Sequence, residues 1–221
     1  METKDATPVS TLDAALVIVI TFFLSAFLGA ALYLVDAIGP ALVIGELLIL
    51  IVPLTYLLAK RVHIRSYVRI DLKPNYILLG LASGFALLLL NIAVTGILTS
   101  ILGTSQAVED SNKLLLNTSS TPIGLTFVAA SLALAGICEE FAFRGFLQNA
   151  LTRRYSFLPA IIVSAVVFGI FHFDLQLVYT ISAMISGLAL GYIYHRWNYV
   201  TSATAHSTMN IIVLAFLLFG L

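Results

Sequence analysis

Seven apolar runs, Leu12–Val35, Ile38–Ala59, Tyr76–Leu102, Ile123–Leu151, Pro159–Phe173, Leu177–Tyr194 and Val200–Gly220, follow one another with mostly short polar breaks between them. A bilayer crossing takes roughly 20 apolar residues, so a chain built this way has room for about seven crossings and little else. Composition agrees: 60% of the residues are hydrophobic and 10% charged, against about a quarter charged in an ordinary soluble domain. The chain is therefore expected to be an all-α, polytopic transmembrane helix bundle of about seven spans. Residues 1–221 form one integral-membrane domain in this reading, with a motif-bearing core over 123–221 and no separate soluble domain.

The breaks carry the orientation. Lys60, Arg61, Arg65, Arg69 and Lys73 alternate with Val62, Ile64, Val68 and Ile70, which predicts a basic segment lying on the membrane surface. Gly103 to Pro122 is polar and rich in Ser and Thr, with a Leu114-Leu115-Leu116 patch that would dip into the interface or form a short lid helix. If seven helices alternate, Lys4, the Lys60–Lys73 cluster, Arg153, Arg154 and Arg196 fall on one side and only Lys113 on the other. The positive-inside rule then makes the amino terminus cytoplasmic. A cleaved signal peptide is not expected, because no basic excess precedes Leu12 and the first run is too long for a signal core. The one cysteine, Cys138, cannot form an internal disulfide, and a formal net charge of zero argues against a nucleic-acid partner.

The fourth run holds Glu139, Glu140 and Arg144, each ionised group costing about 2.5–3.5 kcal/mol at the centre of a spanning helix. Such a cost points to function. Glu140 and Arg144 are four apart, share a face and can pair; Glu139 lies about 100° round the helix and lacks that partner. One glutamate is then structural and the other free to serve as a general base. His172 ends the fifth run, one turn after Phe168, and His206 and Asn210 share a stripe of the seventh. A histidine and an asparagine on one stripe supply two donors for an oxyanion. At the helical rise, Glu139 lies roughly 18 Å, His172 roughly 20 Å, His206 roughly 9 Å and Asn210 roughly 15 Å from the cytoplasmic ends of their helices, so the groups can meet.

Glu-Glu-x-x-x-Arg at Glu139, Glu140 and Arg144, Phe-x-x-x-His at Phe168 and His172, and His-x-x-x-Asn at His206 and Asn210 together resemble the CAAX protease and bacteriocin-processing (Abi) family in order, spacing and placement. The resemblance covers roughly the carboxyl-terminal half. It implies an intramembrane endopeptidase in which Glu139 activates water with His172, His206 and Asn210 stabilise the oxyanion, and Glu140 and Arg144 support the site. The substrate it implies is a membrane-associated peptide, a prenylated carboxyl-terminal tail or a small peptide precursor, met in the cytoplasmic half of the bilayer or laterally from lipid. The prenyl-processing members resemble an eight-helix design, against the seven counted here.

Glu139, His172 and His206 also make an acceptable zinc set with water in a fourth position, and the family is described both as metalloproteases and as metal-free glutamate proteases. Asn210 is a poor zinc ligand but a good oxyanion donor, and no His-Glu-x-x-His occurs, so metal-free chemistry without a cofactor is favoured. Competing readings are a non-catalytic scaffold or immunity protein of the same fold and a proton-coupled transporter, which should show symmetry between its halves. Cys138 reads as a small buried side chain, and Ser186-Gly187 with His206 as a poor serine dyad, since Met184 stands where glycine would be required. Asp174 reads as a loop acid, with orientation of His172 as the alternative. Glu46 and Asn91 read as helix–helix packing groups, with lining of the same cavity as the alternative, His63 and His195 as parts of basic segments, and Gly29, Gly80, Gly84, Gly96, Gly187 and Gly191 as sites of close helix approach.

Overall fold

The computed structural model describes residues 9–220, and Lys4 of the charge pattern lies outside them. Every apolar run is helical: α1 Thr11–Leu34, α2 Ile38–Ala59, the short α3 Ile64–Tyr67, α4 Pro74–Leu102, α5 Gln106–Thr118, α6 Pro122–Glu140, a π-helical stretch Phe141–Gln148 running on into α7 Asn149–Thr152, α8 Phe157–Phe171, α9 Val178–Arg196 and α10 Tyr199–Phe219. Among the described residues there is no strand. In hydrocarbon no water satisfies a backbone amide, which leaves the helix as the economical way for such runs to cross. Starts are marked chemically. Ser10, Ser105, Thr121 and Asn198 each accept a backbone N–H of the first turn of α1, α5, α6 and α10, with Pro122 at the opening of α6.

Among the described residues five helices are long and apolar enough to cross a membrane: α1, α2, α4, the continuous Pro122–Thr152 span and α10. α8 is apolar but only 15 residues long, about 22 Å at the helical rise and so short of the roughly 30 Å hydrocarbon core. α9 is long but is not among the five, its apolar residues being interrupted by Thr180, Ser182, Ser186 and several tyrosines. Their outward faces identify the surrounding medium: Phe27 is 75%, Leu34 84% and Ile101 72% exposed, a density of bare apolar surface that water would not tolerate. The chain is an integral, multi-pass, all-helical membrane protein.

α6 and its π-helical continuation form the axis. α2 and α10 pack against α6, α8 against the π-helical stretch, α4 against α10 and α9, and α1 against α2. All eight residues of Phe141–Gln148 are buried. Close approach is bought by missing side chains: a Cβ on Gly84 would stand 2.6 Å from the Ala205 carbonyl, and one on Gly136 would collide with Ser207 of α10. Gly80, Gly187 and Gly191 are similarly crowded, but Gly29 and Gly96 have nothing near them and do not serve close packing.

The basic segment does more than lie on a surface. Tyr67 and Val68 are buried, Val68 sits against Gly145, and Asn149 Nδ2 donates to the Tyr67 carbonyl at 2.5 Å. Arg69 closes the end of α9, donating to the carbonyls of Tyr194, His195 and Trp197 at 3.1, 3.2 and 2.7 Å, where cationic donors meet unpaired helix carbonyls. These contacts gather Lys60–Lys73, Arg153 and Arg196 at one end of the bundle. α5, the helix that the Leu114–Leu116 patch suggested, lies at the other.

Candidate active site

Two carboxylates adjacent in sequence sit in unlike surroundings. Glu140 is wholly buried, as is Arg144, whose Nη1 lies 2.8 Å from Glu140 Oε1, the pairing the four-residue spacing predicts. The same carboxylate accepts the Ser202 hydroxyl on Oε2 at 2.9 Å and His206 Nδ1–H on Oε1 at 3.1 Å. Arg144 is held from its far side by the Gly187 carbonyl, 3.2 Å from Nη2, and lies over the ring of Phe168 at 4.4 Å. A Cβ on Gly187 would reach to 3.3 Å of that Nη2. Buried charges are tolerated when paired and hydrogen-bonded in this way.

Glu139, one position earlier, turns into a cavity of about 210 Å³ whose lining includes Phe168, His172, His206 and Asn210. The structure thus brings together on one cavity every residue marked as reactive in the sequence, from α6, α10 and the end of α8. Glu139 Oε2 is 3.8 Å from His206 Nε2, too far for a hydrogen bond. Phe168 is the common wall: its ring centroid is 4.5 Å from that of His172 and 5.9 Å from that of His206.

Hydrogen bonding decides which imidazole nitrogen does what. His172 Nδ1 lies 2.9 Å from the Phe168 carbonyl, which can only accept, so Nδ1 carries the proton and Nε2 holds a lone pair. His206 Nδ1 is likewise spent on the Glu140 carboxylate. In their neutral forms both rings therefore offer Nε2 as an acceptor, and His206 becomes an oxyanion donor only as an imidazolium, a form that Glu140 stands ready to balance. Asn210 spends one amide N–H on the Leu132 carbonyl at 3.2 Å and keeps a second.

Several groups were not singled out by their spacing. Ser202 is one. Tyr179 of α9, which lines the cavity, is another; Glu46 of α2 and Asn91 of α4 line it too, the alternative that their sequence reading left open, and Glu46 Oε2 is buried without a hydrogen-bond partner among the described residues. Asn91 also does the packing work expected of it, donating to Ser182 and Ser186 at 2.9 and 3.3 Å. Among the described residues no hydrogen bond joins Asp174 to the His172 ring. Its Oδ1 accepts the N–H and hydroxyl of Thr180 at 3.0 and 2.9 Å, fastening the α8–α9 loop. Burial alone would raise the Asp174 carboxyl, but the Thr180 N–H, together with the Ser105 and Thr180 hydroxyls beside it, outweighs burial and holds it below the usual carboxylate range.

Among the described residues no three His, Cys, Asp or Glu side chains stand close enough to hold a metal ion. Glu139, His172 and His206 share a cavity but, as placed, do not form a zinc set.

No curated protein and no solved structure matches this chain. Residues 121–212, the stretch that runs from the cap of α6 past Asn210 and so contains the whole constellation, match the Rce1-like family, described as type II CAAX prenyl endopeptidase, in agreement with the resemblance their motifs carry.

Proposed function

We propose that the chain is an intramembrane endopeptidase that hydrolyses a peptide bond in a membrane-associated substrate, a prenylated CAAX-type tail being the first candidate on the family match. The observation that carries this reading is the convergence of Glu139, His172, His206 and Asn210 on one cavity. Water held between Glu139 and His172 Nε2 gives a proton to Glu139 as its oxygen attacks the scissile carbonyl carbon. The carbonyl oxygen becomes an oxyanion and accepts the second Asn210 N–H and a proton-bearing His206 Nε2. Collapse of that intermediate breaks the C–N bond, and Glu139 returns its proton to the departing amine.

Glu140 and Arg144 touch none of the reacting atoms in this scheme. They hold His206 and the helix that carries Glu139. Metal-free hydrolysis is the chemistry proposed, with no cofactor. Glu139 is about 20 Å from Thr152 and about 26 Å from Pro122 at the helical rise, near the middle of its span and somewhat nearer the basic end, which we take as cytoplasmic.

The test is cleavage of prenylated and unprenylated fluorogenic peptides by purified protein, wild type against Glu139→Gln, with and without chelator. Turnover lost in the variant and retained under chelation supports the scheme. Activity lost to chelator and restored by zinc would replace it with a metal mechanism, and absence of turnover with a cellular phenotype intact in Glu139→Gln would make the protein a scaffold.

A further inference from the structure

Two carboxyl side chains line the cavity, Glu139 and Glu46 of α2, and the scheme above uses only the first. α2 packs against α6, and both run towards the basic end, α2 closing at Ala59 before Lys60 and the α6 span at Thr152 before Arg153. Glu46 is thirteen residues from Ala59, and Glu139 is thirteen from Thr152. Each therefore stands about 20 Å from that end at the helical rise. The two groups are level on neighbouring helices and share one chamber of about 210 Å³.

An ionisable side chain at such a depth is costly and points to function. The polar groups around it offset their burial with bonds: Asn91 donates to Ser182 and Ser186, Asn210 donates to the Leu132 carbonyl, and Glu140 pairs with Arg144. Glu46 has no such bond. Its Oε2 is buried without a hydrogen-bond partner, and no salt bridge among the described residues reaches it. Arg144, the buried cation of the bundle, is committed to Glu140 and the Gly187 carbonyl. A residue that joined helices would show the bond that joins them. Glu46 instead shows an unused oxygen on the reaction chamber.

No lysine or arginine lines that chamber. Two carboxyls facing one small space without such a cation do not both stay charged, so the pair holds a proton. His206 Nε2, 3.8 Å from Glu139 Oε2, favours charge on Glu139. Nothing comparable faces Glu46, and a carboxyl without a partner in an apolar wall is neutral. Its O–H is then a proton donor on the chamber that holds the scissile bond.

We propose that Glu46 is the general acid of the hydrolysis and gives its proton to the nitrogen of the scissile bond. The proposal rests on the protease reading above and divides between two carboxyls the proton transfers given there to Glu139 alone. Glu139 takes a proton from water as the water oxygen bonds to the carbonyl carbon. When the oxyanion collapses, the C–N bond breaks, its electron pair stays on nitrogen, and nitrogen takes the proton of Glu46. The products are a carboxylic acid and an amine, with Glu46 ionised and Glu139 protonated. Passage of the proton from Glu139 to Glu46 across the chamber restores both.

The test uses the full chain in lipid nanodiscs and two peptides that differ only at the cleaved bond, an amide in one and a thioester in the other. A thiolate departs without a proton, whereas an amine does not. Glu46→Gln, which keeps the shape, should lower kcat on the amide by about 10²-fold, as for loss of a general acid, and leave the thioester within about threefold. Glu46→Leu should repeat that pattern, and Glu139→Gln should remove both activities, because attack on either bond needs the base. Equal loss on the two bonds in the Glu46 variants, or no loss on the amide, would overturn the assignment while leaving the protease reading in place. If the wild type cleaves neither peptide, the protease reading fails and the general acid falls with it. Apart from turnover, the infrared spectrum of the wild type should carry the stretch of a neutral carboxyl that Glu46→Gln lacks, and identical spectra would refute the proton on Glu46.

Discussion

The pocket around Glu140 and the cavity before Glu139 begin one residue apart and are built on opposite principles. Around Glu140 both carboxylate oxygens are matched: Arg144, Ser202 and His206 surround a carboxylate with no exposed surface, with Arg144 Nε the group left without a hydrogen-bond partner among the described residues. Before Glu139 there is space, an unmatched Glu46 and two imidazoles whose Nδ1 atoms are already engaged. A filled polar pocket fixes geometry and cannot easily take part in a reaction. An unfilled one beside it can hold a water and a substrate, but only because its walls are fixed by the first. The difference in surroundings supports the separate roles proposed for the two glutamates, as environment sets them wherever two carboxylates share a site.

Glu139→Gln attacks the open side and should have the largest effect: kcat lower by about 10³-fold or more, as for loss of a general base, with the melting temperature unchanged. Glu140→Gln attacks the filled side and should do the reverse in kind, because it leaves Arg144 buried without its counter-charge, a loss of about 3–5 kcal/mol in stability. Replacing both Glu140 and Arg144 by methionine should recover much of that stability while activity stays low, since His206 would have lost the carboxylate on its Nδ1. If Glu140→Gln kept full stability and lost only turnover, the division between holding and reacting would be wrong.

The parts of this arrangement that were legible in the sequence are those fixed within one helix. Apolar length gave the helices, and spacing of four gave the Glu140–Arg144 pair and the common stripe of His206 and Asn210. Motif order suggested that three stretches converge, which the packing of α6, α8 and α10 around the π-helical stretch allows. What could not be read depends on where helices cross. Ser202 meets Glu140 across 62 positions, and Arg69 reaches Trp197 at the end of α9 across 128. Composition gives no sign that Phe141–Gln148 winds as a π-helix, whereas the end of a short α8 at His172 was legible. Nothing in a spacing says which nitrogen of His206 faces a carboxylate.

On the open side, Asn210→Ala removes one oxyanion donor and should cost about 10²-fold in kcat, the usual size for such a group, with KM little changed. Ser202→Ala, on the filled side, removes a neutral donor from a carboxylate that keeps its other partners, and should cost about 1 kcal/mol of stability with a small effect on turnover. Reversal of these two would mean that His206 and its carboxylate, rather than Asn210, dominate charge stabilisation.

The smallest effect concerns Asp174, a third buried acid, whose Oδ1 is matched by Thr180 while its Oδ2 has no hydrogen-bond partner among the described residues, and which sits in the α8–α9 loop, outside the spanning segments. Its carboxyl is held below the usual range, burial opposing and the Thr180 and Ser105 groups prevailing. For a depressed carboxyl the sign is fixed: the stabilisation is complete above the unfolded value of about 3.9 and is lost as pH falls through the lower folded value. Asp174→Asn should therefore lower the melting temperature by about 2–4 °C, the equivalent of about 1 kcal/mol at this chain length, at every pH above about 5, and the gap to wild type should close as pH drops below about 4. A gap that stayed constant through that window would show that Thr180 needs only an acceptor at position 174, and that matching of charge matters at Glu140 but not in the loop.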